Sequence, residues 1–139
     1  MIEAPAVRSF FEEACPQLAA ALAAGDDSDS DRLLYLEMAD TARMMGEAYR
    51  TGETDCLAAV FETIEQCLCD GTPETINLVV VGLLEDLQNG NITKVSDFGV
   101  WEPYLGPAAE RAWRALAKFW AGDPQALTRW AADSGIELT

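Results

Sequence analysis

Leu57, Val60, Phe61, Ile64 and Leu68, followed by Ile76, Val79, Val80, Leu83, Leu84 and Leu87, recur at intervals of three and four residues. That spacing lines one face of an α-helix and predicts two amphipathic helices in succession. Only Ile76 to Leu84 has the β-branched density of a strand, and both its spacing and the cap ahead of it argue for helix. Thr54 caps the first helix, which ends at Asp70-Gly71; Thr72-Pro73-Glu74 opens the second, which runs to Asn89-Gly90. The two form a helical hairpin.

The same punctuation predicts the remaining elements. Pro5 and Pro16 suit the first turns of helices, and Gly25 stops the alanine-rich segment after the second. Ser28 or Ser30 caps a helix that Gly52 closes, with acids in its first turn where the helix dipole favours them. A looser aromatic stretch, NITKVSDFGVWEPYLG, follows the hairpin. Pro107 then starts a helix in which Trp113, Leu116 and Trp120 share a face expected to join the core, and Asp123-Pro124 opens a short last helix around Leu127 and Trp130. The expectation is all-α: residues 1–139 as a single helical domain, an antiparallel bundle or short stack of helical hairpins with about six to seven helices. No residue pattern recurs at a fixed period, so no repeat is assigned.

Acids interrupt the apolar pattern in VVVGLLEDLQNG. On a helical wheel of about 100° per residue, Glu85 points away from the core face and shares its side with Leu78 and Val81, while Asp86 lies at the core margin near Val79. On the preceding helix Glu65 sits at the core margin and Glu62 further out, so the hairpin carries four acids around apolar residues. Three readings compete. The acids are solvated charges, with Leu78 and Val81 covered by a neighbouring helix. Or they select a basic partner while the apolar residues supply contact energy. Or a carboxylate pair performs acid–base or metal chemistry, which paired acids alone signal weakly.

Charge sharpens the choice of partner. The 139 residues, half of them apolar, carry 24 acids against nine Lys and Arg, for a formal net charge of −15. Such a surface repels nucleic acid and anionic membrane and steers a basic protein toward it, although it also serves solubility alone. The N-terminal stretch lacks a basic leader before an apolar run, and no stretch approaches the roughly 18 apolar residues of a membrane span. A cytoplasmic protein is therefore expected, with Cys15, Cys56, Cys67 and Cys69 as thiols that act as small buried apolar side chains. Cys67 and Cys69 point about 200° apart on a helix, and His is absent, which argues against zinc. Asp27, Asp29 and Asp31 alternate like calcium ligands, but Arg32 stands where the turn glycine belongs and Met38 where the bidentate glutamate belongs. Neither a metal nor another cofactor is expected.

Three runs carry a resemblance: LLYLEMADTARMM, VFETIEQCLCDGTPETINLVVVGLLEDLQNG and LGPAAERAWRALAKFW. Over roughly residues 33 to 120 they resemble a family of small acidic helical bacterial proteins of unassigned function. Its pattern pairs F..IE..L..G (Phe61, Ile64, Glu65, Leu68, Gly71) with V..LEDLQN (Leu84, Glu85, Asp86, Leu87, Asn89) and an LGP helix start (Leu105, Gly106, Pro107). The resemblance implies a helical fold and no particular activity. In general character the chain is also similar to immunity proteins of bacterial toxin systems, which bind and neutralise a toxin domain, often a basic nuclease.

The function expected is therefore that of an inhibitor, not an enzyme: steric occlusion of a basic partner such as a cognate toxin domain. Glu62, Glu65, Asp70, Glu85 and Asp86 are the candidate acidic contacts. Asp97, Trp101 and Tyr104, in the irregular segment, are candidate contacts too, because loop aromatics often anchor interfaces; in the competing reading Trp101 and Tyr104 plug the end of the bundle. The alternatives are an acidic mimic of nucleic acid that blocks a DNA- or RNA-binding protein, and a carboxylate-dependent enzyme.

Overall fold

A computed structural model describes residues 1–18 and 30–135, with the backbone alone for 30–33. A short 3-10 turn, Ala4–Ala6, leads into α1 (Val7–Ala14). Helix α2 is Ser30–Thr51 and α3 is Leu57–Asp70. Helix α4 spans 73–87 and consists of Pro73–Asn77, a π-helical stretch Leu78–Leu84, and Glu85–Leu87. The short α5 (Gly90–Thr93) and a 3-10 helix, Phe98–Tyr104, precede α6 (Pro107–Trp120) and α7 (Ala126–Asp133). Among the described residues the only β pairing is an isolated parallel bridge between Ile2 and Gly71, and the fold is all-α.

Local chemistry explains most boundaries. The Thr72 hydroxyl accepts the Thr75 N–H at 3.2 Å with Pro73 in the first turn, as the sequence predicts for the start of α4. Gly52, at φ +80°, ends α2: its N–H reaches the Tyr49 carbonyl and the Glu53 N–H the Ala48 carbonyl, the paired bonds of a Schellman motif. Thr54 does not cap α3 with its side chain. Its carbonyl accepts the Leu57 N–H at 3.1 Å, so a turn intervenes and α3 starts three residues later. Gly25, the alternative cap Ser28 and the acidic loop as far as Asp29 lie outside the described residues, and with them the calcium-like pattern at its start.

Helix α4 is the centre of the core. Leu78, Val79, Val80, Leu83, Leu84 and Leu87 are all buried, because α2 covers one side of the helix and α6 packs on another. Leu78 lies off the core face of the wheel, and its burial is the covering by neighbouring helices that one of the three readings expects; the stretch it opens is π-helical. The Glu85 N–H bonds to the Val80 carbonyl five residues back, so the turn is wider than in an α-helix and a 100° wheel misplaces its residues. Helices α2 and α4 run in the same direction: Tyr35 and Met38 lie beside Gly82, Arg43 beside Asp86, and Gly46 against Thr93 just beyond. Two reversals, at 52–56 and 71–72, bring the chain back to this register. Helix α3 joins α1 on one side and α6 on another, and α7 closes against α6.

Trp113 and Leu116 are buried as expected, but Trp120 is 57% exposed. Near the end of α6 the shared face has outrun the core, and the Trp120 ring meets Phe119 edge-on at 5.5 Å. Of the cysteines, Cys15 and Cys67 are buried thiols as expected, Cys56 is half-buried and Cys69 is exposed.

Candidate functional site

The residues of the F..IE and LGP patterns meet, and they do so to build the fold. Both oxygens of Glu65 accept backbone N–H groups at the start of α6, from Ala108 and Ala109 at 2.9 Å each. A carboxylate there satisfies two otherwise orphaned donors and complements the positive end of the helix dipole. Gly106 is required for the approach, since a Cβ on it would lie 2.6 Å from the Glu65 carboxyl. Phe61, one turn before Glu65, stacks on Tyr104 at 5.3 Å and approaches Trp101 at 6.1 Å. Trp101 is fully buried and also meets Tyr49 at 5.6 Å, so it plugs the fold and offers a partner no surface. Tyr104 is half-buried in the same stack.

The other sequence candidates fall into separate environments. Glu62 is exposed on α3 and forms no ion pair among the described residues. Asp70 is exposed at the end of α3, and its carbonyl accepts the Ile2 N–H at 2.8 Å. Asp97 is exposed and accepts the Gly99 N–H at 3.0 Å, starting the 3-10 helix. Glu85 and Asp86 alone remain side by side, half-buried where the π stretch ends. The four hairpin acids therefore do not surround one groove: Glu65 is committed to α6, and Asp86 faces Arg43 of α2.

The Glu85–Asp86 pair has the most unusual electrostatics of the candidates. Burial pushes the Asp86 carboxyl up to about 6, the adjacent Glu85 charge adds to the effect, and Arg43 opposes it. Burial also raises Glu85. Arg43 is shared, since it bonds Asp40 on its own helix at 2.8 Å. One turn before the pair Tyr35, 44% exposed, lies over Gly82, and Val81 beside that glycine in the chain is half-buried; Leu36, the residue after Tyr35, is also exposed. The seam between α2 and α4 thus presents carboxylates and apolar surface together, beside a rare π-helical stretch of a kind frequent at functional sites. Sequence reasoning missed the α2 half. Its signal was present in Leu33 to Leu36, four consecutive apolar residues that no single helix face can hold.

Among the described residues no group of His, Cys, Asp or Glu is arranged to hold a metal ion, and no helix is long and apolar enough to cross a membrane. The largest described cavity lies away from the seam, between α6 and α7. A family described as a domain of unknown function (DUF7674) matches residues 9–121. The chain belongs to that family. The match spans the F..IE, LEDLQN and LGP elements, so the contact between Glu65 and the start of α6 lies inside the family domain. No curated protein and no solved structure matches the chain.

Proposed function

We propose that this chain is a binding protein that captures a basic protein domain at the α2–α4 seam and inhibits it by covering its active site, as an immunity protein does its toxin. The observation that carries this reading is the juxtaposition of the half-buried Glu85–Asp86 pair with exposed Tyr35, which lies over Gly82 one turn before the pair. A surface of that kind does two jobs. The net charge of −15 steers a basic partner into encounter, and the aromatic and aliphatic side chains supply the desolvated contact that holds it. Apolar residues within the seam favour this reading over mimicry of nucleic acid, which calls for a continuous stripe of carboxylates. A carboxylate enzyme would place its raised acids in a cleft. Glu85 and Asp86 instead line none of the described cavities.

The test is co-expression with the terminal domain of a toxin encoded beside this chain, with growth as the readout and gel filtration at moderate salt as the physical check. Rescue and a stable complex are expected. Reversal of Glu85 and Asp86 to Lys together with Tyr35→Ala abolishes both, while reversal of the remote Glu3 does not. Absence of rescue by the wild-type chain, or a complex indifferent to the seam variant, sinks the proposal.

A further inference from the structure

Four of the nine cationic side chains of this acidic protein line a single groove. Arg111, Arg114 and Lys118 project from one face of α6 at spacings of three and four, and Arg129 comes from α7 across the groove. Asp133 is the only acid in the lining. The walls between are apolar, with Leu68, Ile76 and half-buried Trp130 among them, and the cavity measures about 710 Å³. Packing does not require this concentration. Crowded like charges repel, and a solvated helix face on a chain of net charge −15 has acids in plenty to draw on. Two of the four are held by exposed acids, Arg114 by Glu110 and Arg129 by Asp123. Arg111 and Lys118 form no ion pair among the described residues.

We propose that this groove is a binding site for an organic phosphate with a flat aromatic body, the chemical class of the nucleotides. Arg111 and Lys118 hold the phosphate, the guanidinium by paired N–H donors and the ammonium as a point charge. Trp130 supplies an apolar surface on which the aromatic body lies. The cavity volume falls within the range typical of small-ligand sites. The site is separate from the α2–α4 seam and independent of the inhibitor reading.

The experiment titrates the full chain with ATP, AMP and inorganic phosphate by calorimetry. A second readout follows protection of the exposed Cys69 thiol, which also lines the groove, from alkylation. Saturable nucleotide binding that shields Cys69 is expected. The double variant Arg111→Gln, Lys118→Gln should weaken it about tenfold or more, the loss of one or two charge-assisted hydrogen bonds. Arg50→Gln, an exposed cation of α2 outside the groove lining, should leave it unchanged. Trp130→Leu should cost nucleotide affinity and spare that for inorganic phosphate. Circular dichroism and thermal melts establish that each variant is folded. The proposal is overturned by absence of saturable binding at millimolar nucleotide, by binding that the double variant leaves intact, or by inorganic phosphate binding as tightly as AMP. A glutamate-rich peptide that occupies the groove where nucleotides do not would overturn it as well.

Discussion

At the scale of single residues, acids of identical type do opposite work according to what surrounds them. Glu65 finishes a helix: its two oxygens take the Ala108 and Ala109 N–H groups, and Gly106 leaves room for them. Glu65→Ala should cost about 1–2 kcal/mol in urea denaturation, the range of a lost helix cap. Gly106→Ala should destabilise too, because its new methyl meets the same carboxyl. The double variant should cost less than the sum, since the clash vanishes with the carboxyl; strict additivity would mean that the two residues do not share a contact. Asp86 behaves the other way. Its carboxyl titrates near 3.8 when unperturbed and at about 6 in the folded protein, so between those values the folded state holds the proton more tightly and stability falls as pH rises. The raised carboxyl of Glu85 acts in the same sense, and Arg43 partly offsets the shift of Asp86. Asp86→Asn should therefore flatten the decline between about pH 4 and 6 and stabilise the protein above it by about 1 kcal/mol, a figure reduced for the solvent that still reaches the group. Equal stability of variant and wild type at pH 7, with unchanged slope, would show that burial does not strain this carboxylate.

Between elements, the decisive contacts are close approaches that small residues permit. Gly46 of α2 faces the backbone of Thr93 in α5, and a Cβ there would lie 2.2 Å from the Thr93 carbonyl oxygen. Backbone cannot rotate away as a side chain can, so Gly46→Ala should cost about 1–3 kcal/mol as α5 is pushed from α2, measurable as a lower urea midpoint with little change in slope. A variant as stable as wild type would imply that α5 is not docked as described. These helices were legible in sequence because caps and apolar periodicity are local: Thr72-Pro73, Gly52 and Pro107 act within a few residues of where they stand. The seam was legible only in part. Glu85 and Asp86 stand out as acids in an apolar run, but the π geometry from Leu78 to Leu84 alters which residues share a face. Tyr35 and Arg43 join them from a helix about 40 residues earlier, through tertiary packing that no spacing rule encodes. Glu65 was misread for the same reason: its partners lie 43 and 44 residues away.

Over the whole molecule, charge is segregated. The described acids are distributed over many elements, most of them exposed or half-buried and Glu37 buried, while four of the nine cations gather between α6 and α7. Two consequences oppose each other. Local pairs such as Arg114 with Glu110 and Arg43 with Asp40 favour the folded state, by about 0–1 kcal/mol each at such exposed positions. Against them stands the mutual repulsion of a net charge of −15 confined to a folded volume, which unfolding relieves by spreading the chain. Few cations are available for pairing, so the repulsion should dominate. Added salt screens both terms, with a Debye length that shrinks to about 8 Å at physiological ionic strength, and it removes more of the larger one. The melting temperature should accordingly rise between low salt and about 0.15 M NaCl, in contrast to proteins that ion-pair networks hold together. The Arg111→Gln, Lys118→Gln variant deepens the net charge by two and should melt lower at low salt, with a steeper gain on salt addition. A melting temperature that falls as salt is added would show that local pairing outweighs net repulsion. In that case the cations of the groove would already be engaged in stabilising the fold.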